Sequence, residues 1–298
     1  MGAHGENESM DRPRLSICFL FILSLITPQP IFAARCSDSG NYTTNSTYAA
    51  NLKTLLSSIS NSSDLNSDGF FNASIGQNQD QVYALALCRG DQEITSCRSC
   101  LNDSSQAITK ECPNQKEAFL YKDECMLRFS SRNILSSMDD GLFAMFYNLQ
   151  NATNPAHFNE VLGSLLYDLR EQASSDGVRK YAAKVVSYTS LSKIYGLEQC
   201  TPDIAKLHCE KCLDDAINDI THASGKVGAL IIRYSCVLRF EMYQFFQLAV
   251  DAPPPPRSTP APLAPQSPPP LSTGSTGTLR ASLLSCLHCF NKVNKAVN

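Results

Sequence analysis

Apolar residues recur along this chain on two different periods. Leu52, Leu55, Leu56 and Ile59 stand at i, i+3, i+4 and i+7, the spacing that gathers side chains on one face of an α-helix. Phe158, Val161, Leu162, Leu165, Leu166 and Leu169 repeat the pattern further along. Each run predicts an amphipathic helix with one face turned inward. A second helix is expected after each, started by Thr95 in the first case and by Thr201 with Pro202 in the second, since a hydroxyl cap and an early proline both suit a helix start. Short stretches of aromatic and β-branched residues at 118–121 and 126–129, then at 227–234 and 237–246, read as antiparallel strands. The predicted fold class is α+β.

The same order of elements appears twice because the chain repeats itself. At a shift of 112 residues Cys88, Cys97, Cys100 and Leu101 fall on Cys200, Cys209, Cys212 and Leu213, and Val82, Tyr83 and Leu85 fall on Ile194, Tyr195 and Leu197. At a shift of 111, Cys125, Leu127, Arg128 and Phe129 fall on Cys236, Leu238, Arg239 and Phe240, so one residue has been lost between the copies. Both copies carry the spacing C-x8-C-x2-C. Domains are expected at 35–134 and 139–248. Ten prolines between 252 and 270 predict an extended, semi-rigid spacer. The tail, 271–298, holds only a short apolar patch at 281–290, too brief for the roughly 20 residues of a membrane span. It ends on a polar segment, unlike a lipid-anchor signal.

Arg12 and Arg14 precede an apolar run at 15–26, and the small pair Ala33 and Ala34 follows. That order predicts a secretory signal peptide, 1–34, cleaved within 33–35; Ser24, Pro28 and Pro30 interrupt the run as a membrane helix. Two acidic residues in the leader leave either Met1 or Met10 as the start. Thirteen cysteines in 298 residues fit an oxidising compartment better than a reducing one, and loss of the leader with Cys18 leaves an even twelve. Triplets of the form N-x-S/T at Asn41, Asn45, Asn61, Asn72, Asn102 and Asn151 are candidate glycosylation sites on such a route. A net charge of -3 gives no general attraction to nucleic acid.

Cys36, Cys88, Cys97, Cys100, Cys112 and Cys125, with the phrase Val82-Tyr83-Ala84-Leu85-Ala86-Leu87-Cys88-Arg89-Gly90-Asp91, closely resemble the ginkbilobin-homologous, or stress-antifungal, domain of plants. Residues 200–246, with Gly225-Lys226-Val227-Gly228 and Cys236-Val237-Leu238-Arg239-Phe240-Glu241, resemble the second copy found in cysteine-rich repeat secretory proteins and in ectodomains of cysteine-rich receptor-like kinases. The resemblance covers roughly residues 33–250. It implies two tandem domains, each a small antiparallel β-sheet packed on two α-helices and stapled by disulfides. Six cysteines allow fifteen pairings; the family's pattern implies Cys36 with Cys112, Cys88 with Cys97, and Cys100 with Cys125. The second copy keeps Cys200, Cys209, Cys212 and Cys236 but has no cysteine near 146–148 or 223–224. Those two losses remove one implied bond as a unit. Cys286 and Cys289 fit none of the bridges. The rival reading of the C-x2-C pairs as a thiolate zinc site conflicts with the third cysteine nine residues before each pair, and redox exchange needs a C-x2-C bonded to itself. No metal and no cofactor is expected.

Catalysis is not expected either. His4 and His288 lie in the leader and tail, and His157, His208 and His222 sit in no recognisable motif. Adjacent carboxylates such as Asp139 with Asp140, or Asp214 with Asp215, read as solvated surface. No kinase motif follows the prolines. The resemblance suggests a ligand, because ginkbilobin is a mannose-binding antifungal lectin that uses Asn just after the first cysteine, Arg six before the last and Glu five after it. Those positions are Ser37, Phe119 and Ser130 in the first copy, and the last two are Leu230 and Glu241 in the second. Glu241 is the possible ligand-binding residue. The function expected is a secreted, apoplastic, non-catalytic recognition module in plant stress or defence signalling, with a cell-surface protein or a carbohydrate as ligand. The alternatives are a mannose-binding antifungal lectin and a truncated cysteine-rich receptor-like kinase.

Overall fold

The computed structural model describes residues 32–248, apart from 39, 62–64, 66–67 and 176. Most of the expected leader, the proline-rich linker and the tail with Cys286 and Cys289 lie outside the described residues, as does the Asn61 side chain. The first copy runs β1 (Phe32–Cys36), α1 (Thr47–Asn61), β2 (Phe70–Ile75), β3 (Val82–Cys88), α2 (Ile94–Glu111), β4 (Glu117–Lys122) and β5 (Cys125–Ser130). The second runs β6 (Leu142–Tyr147), α3 (Pro155–Ser174), β7 (Tyr181–Ser187), β8 (Lys193–Cys200), α4 (Lys206–Asp219), β9 (Gly228–Arg233) and β10 (Cys236–Glu241). Each copy forms one antiparallel five-stranded sheet, ordered β1-β4-β5-β3-β2 and β6-β9-β10-β8-β7. The expected cleavage segment 33–35 falls inside β1, where Ala33 and Ala34 pair with Tyr121 and Leu120.

The periodic apolar residues form the helix faces that were predicted. Leu52, Leu55, Leu56 and Ile59 are buried against the first sheet, and Phe158, Leu162, Leu165, Leu166 and Leu169 against the second. Removing a leucine of this kind from water contributes about 1.5–3 kcal/mol, so each helix is fixed by its stripe. In α3 the start is fixed as well: Asn154 accepts the His157 N–H at its side chain, and Pro155 opens the first turn. The sheet comes close enough that a Cβ at Gly196 would lie 2.8 Å from Leu169 and 2.9 Å from Leu165.

One expected start is corrected. Thr201 and Pro202 do not begin α4, which starts at Lys206 after Ala205. Thr201 instead donates its backbone N–H to Ser235 and accepts from Ile204, while Lys180 donates to the Ile204 carbonyl. These bonds hold 201–205 as a loop, and Cys200–Cys209 closes across it. Likewise α2 begins at Ile94, one residue before Thr95.

Among the described residues there are five disulfides. Cys36–Cys112 ties β1 to the end of α2, Cys88–Cys97 ties β3 to its first turn, and Cys100–Cys125 ties its middle to β5. Cys200–Cys209 and Cys212–Cys236 do the same for α4. Where the second copy lacks a bond, Tyr147 takes the register position of Cys36: it lies opposite Ala229 as Cys36 lies opposite Ala118. Polar ties replace the bridge there. The Asn159 side chain donates to Ser224 and accepts from the Gly225 N–H.

At one buried position the second core carries a carboxyl group where the first carries a methyl. Glu198, on β8, is fully buried and its two carboxyl oxygens have no hydrogen-bond partner; the first copy has Ala86 there. Burial pushes its pKa well above the ordinary carboxyl range, Arg170 on α3 pulls it back down, and Asp214 on α4 adds to the rise. Arg170 itself is paired with Asp214 at 2.6 Å. A raised folded-state pKa means that the protonated form is favoured by folding, so this group's contribution is complete below the unfolded-state value and is lost as pH rises through the folded one. Urea unfolding of the wild type and of Glu198→Gln at a series of pH values is expected to show the variant gaining relative stability as pH increases.

Candidate functional site

The two sheets pack face to face, with the helices on the outer sides. Phe70, Leu85, Leu87, Phe119, Tyr121 and Met126 of the first sheet meet Phe143, Leu197, Leu230, Ile232 and Val237 of the second in one apolar layer. Polar groups frame it. Gln199 donates to the Cys88 carbonyl and accepts from the Gly90 N–H, while Arg179 donates to the Gly90 carbonyl. Arg89 pairs with Asp91 and donates to the Phe245 carbonyl, and Asp91 accepts from the Gln247 N–H.

Two clusters at this junction are related by the repeat. Arg128 and Arg239 each stand three residues after the last cysteine of their copy, and Asp123 and Tyr234 each stand two before it. Arg128 lies over the Tyr234 ring at 4.4 Å, and Arg239 pairs with Asp123 at 2.6 Å. Each copy's arginine thus reaches the same turn of the other copy. The acid beneath each arginine has changed strands: Glu117 on β4 holds Arg128 at 2.7 Å, whereas Glu241 on β10 holds Arg239 at 3.2 Å. Glu117 pairs across the ladder with Ser130, and Glu241 with Gly228. A Cβ at Gly228 would run into the Glu241 carboxylate, so the glycine is what makes room for this acid.

A cleft of about 110 Å³ opens beside the first cluster, lined by Arg35, Ser37, Glu117, Phe119, Arg132 and Tyr234 among others. Burial opposes ionisation of Glu117, but hydrogen bonds from Arg128 and Arg132 outweigh it and hold its carboxyl below the usual range. Arg128 also pairs with Asp139 at 2.8 Å, and Arg35 donates to the Leu142 and Phe143 carbonyls. The charges here are spent on one another. The volume is also below the about 300 Å³ at which small-molecule sites begin. A larger groove, about 440 Å³, lies between α1 and α2, with Tyr42, Leu52, Lys53, Leu56, Asn102 and Gln106 in its walls.

The positions implied for sugar binding are now placed. Ser37 and Phe119 line the cleft, but Phe119 is buried in the apolar layer, and the Ser130 hydroxyl accepts from the Arg132 N–H. Leu230 is buried, and Glu241 is bonded to Arg239; burial, partly offset by Arg239, raises its pKa. Sequence reasoning missed Asn148. With Tyr147 at the position of Cys36, Asn148 is the residue just after it, and its N–H donates to the Gly228 carbonyl beside Glu241. No cysteine marks that place, so only the ladder register reveals it. The Asn148 side chain accepts from the Gln150 N–H.

No group of three or more His, Cys, Asp or Glu capable of holding a metal occurs among the described residues. His157 stacks on Tyr188, with Glu160 at 3.7 Å. Asn41, Asn45, Asn72, Asn102 and Asn151 are all exposed. Asn102 is the odd one: Ser104, the third residue of its triplet, is fully buried and its hydroxyl lies 3.4 Å from the Cys125 sulfur. No helix among the described residues is long and apolar enough to cross a membrane.

Residues 35–132 and 146–243 match the family described as Salt stress response/antifungal. The chain belongs to this family. It is 34% identical over 240 residues to the antimicrobial ginkbilobin-2-like protein of Castanea crenata, covering 78% of this chain and 98% of that one. It is 34% identical over 217 residues to cysteine-rich repeat secretory protein 38 of Arabidopsis thaliana, covering 72% and 85%. Cysteine-rich receptor-like protein kinase 25 of the same plant is 34% identical over 264 residues, 87% of this chain, which spans only 37% of that relative's length. Among solved structures, the tandem DUF26 ectodomain of the Arabidopsis thaliana cysteine-rich receptor-like protein PDLP8 aligns at TM-score 0.62 and 26% identity, over 71% of this chain and 98% of that one. The protein is therefore a tandem, ectodomain-like member of a family that includes secretory and antimicrobial proteins.

The crossed arginines make a measurable claim about the junction. In a double-mutant cycle of Asp123→Ala and Arg239→Ala, read by urea unfolding, the pair is expected to show a coupling of about 0.5–3 kcal/mol, with Arg239→Ala the more destabilising single change because it strands Glu241 as well.

Proposed function

We propose that this protein is secreted to the apoplast and acts there as a non-catalytic recognition module in stress or defence signalling, with a cell-surface protein as its ligand. The reading rests chiefly on one observation: the charged groups at the junction are engaged with one another, which leaves a two-domain body offering surface and not reactive chemistry. The family, with its secretory and ectodomain relatives, supports it. Cleavage within 33–35, domains at 35–134 and 139–248, and glycans on the exposed asparagines belong to the same proposal.

The second reading is a mannose-binding antifungal lectin. It is favoured by Asn148 and Glu241, which stand at two of the three positions that ginkbilobin uses for sugar and flank Gly228 of β9 from opposite sides. The two readings part in one experiment. The purified protein is applied to immobilised receptor-like kinase ectodomains and to immobilised mannan. Saturable binding to an ectodomain, unchanged by Asn148→Ala, is the expected outcome; mannan binding lost in both Asn148→Ala and Glu241→Ala would establish the lectin instead.

A further inference from the structure

Strands at the edge of a sheet expose unpaired backbone groups, and natural proteins blunt such edges with charge, bulges or cover. Among the described residues four strands stand at sheet edges: β1, β2, β6 and β7. β1 carries Arg35, β7 carries Lys184, and β2 carries Asn72 of an N-x-S/T triplet. β6, with the sequence Leu-Phe-Ala-Met-Phe-Tyr, carries no charge and no triplet. Its side chains are also unusually bare, with Leu142 43%, Phe146 44% and Tyr147 46% exposed, and Leu149 just beyond it 85% exposed.

The ladder shows which backbone groups are free. The Asn148 N–H donates to Gly228 of β9, so Phe146 and Ala144 also face β9 while Met145 and Tyr147 face outward. At one end Arg35 occupies the Leu142 and Phe143 carbonyls. At the other, Lys226 donates to the Leu149 carbonyl and Gln150 donates to the Asn148 side chain. The open edge is therefore the N–H and C=O of Met145 and of Tyr147.

We propose that β6 pairs with β6 of a second copy of this chain, antiparallel about a two-fold axis through Phe146. The free groups are self-complementary under that operation. Met145 meets Tyr147 of the second copy, and each residue gives one N–H and takes one in return. Phe146 meets its own counterpart in the close, non-hydrogen-bonded position, where cross-strand aromatic pairs contribute. Leu149, otherwise bare, comes across from the Leu142 end of the other copy, so the two exposed leucines cover each other. Arg35 falls opposite the 149–150 segment and not opposite another Arg35. Such an interface is isologous and closes as a dimer, joining the two second-copy sheets into one continuous sheet.

The test is sedimentation velocity on the purified secreted protein over about 1–100 µM, with Phe146→Lys, Phe146→Glu and their equimolar mixture. The wild type is expected to shift reversibly from one-copy to two-copy mass. Each single variant, placing like charges directly opposite, is expected to dimerise roughly tenfold or more weakly. The mixture is expected to recover the two-copy species, a rescue that misfolded variants would not give. A wild type that stays at one-copy mass throughout overturns the proposal, including the case in which it binds a synthetic peptide of residues 142–149, which would show that the edge takes a foreign strand. Variants that dimerise as the wild type does also overturn it, by placing the contact elsewhere.

Discussion

Phe119 of the first sheet lies 4.6 Å from Phe143 and 5.3 Å from Tyr234 of the second, and around those rings an apolar layer closes between the two sheets. Both faces of both sheets are thereby covered, one by helices and one by the other copy. That single constraint explains the polar frame at its edge. Backbone groups of the 88–90 segment cannot reach water once the sheets meet, and Gln199 satisfies two of them at once. The arginines 128 and 239 lie where the layer ends, stacking their planar faces on rings while their nitrogens take carboxylates.

The crossing of the arginines follows from the repeat. Two similar domains related by an approximate two-fold axis present the same patch to each other, so one arginine and one turn recur on both sides. Divergence then made the halves unequal. One turn carries Asp123 and binds by charge; the other carries Tyr234 and binds by its ring. The acid beneath the arginine stands on β4 in one copy and on β10 in the other, where Gly228 leaves the space it needs. The disulfides diverged similarly: the bridge from β1 to the end of α2 has its counterpart in hydrogen bonds around Asn159 and Gly225.

Much of the domain plan was legible in the residues. The repeat, the amphipathic faces of α1 and α3, and the α+β class rest on signals that survive burial on one side only. β3 and β8 were not legible as strands, and the reason is physical. Val82, Ala84 and Ala86 face the helices while Leu85 and Leu87 face the other sheet, so no polar alternation remains to mark a strand. β2 and β7 went unread although turn residues flank them, Asp68-Gly69 and Gly76 about β2 and Gly177 and Ser190 about β7. Thr201 misled because its cap chemistry was real but was used in a loop held by Cys200–Cys209 and Lys180. Asn148 was invisible for the opposite reason, since the cysteine that would have aligned it has become Tyr147. Of the positions implied for a ligand, Glu241 was found in sequence, but its partner Arg239 belongs to the fold and not to an open site.

The buried Ser104 gives Asn102 a meaning in time. Oligosaccharyl transfer reads the hydroxyl of the third residue, and in the folded domain that hydroxyl is enclosed against Cys125. A chain whose second helix has already docked offers no acceptor there, whereas the loop and strand asparagines stay available afterwards. Sugar on Asn102 would therefore be a timestamp, a chemical record that the transferase reached this helix before the Cys100–Cys125 half of the domain had closed over it.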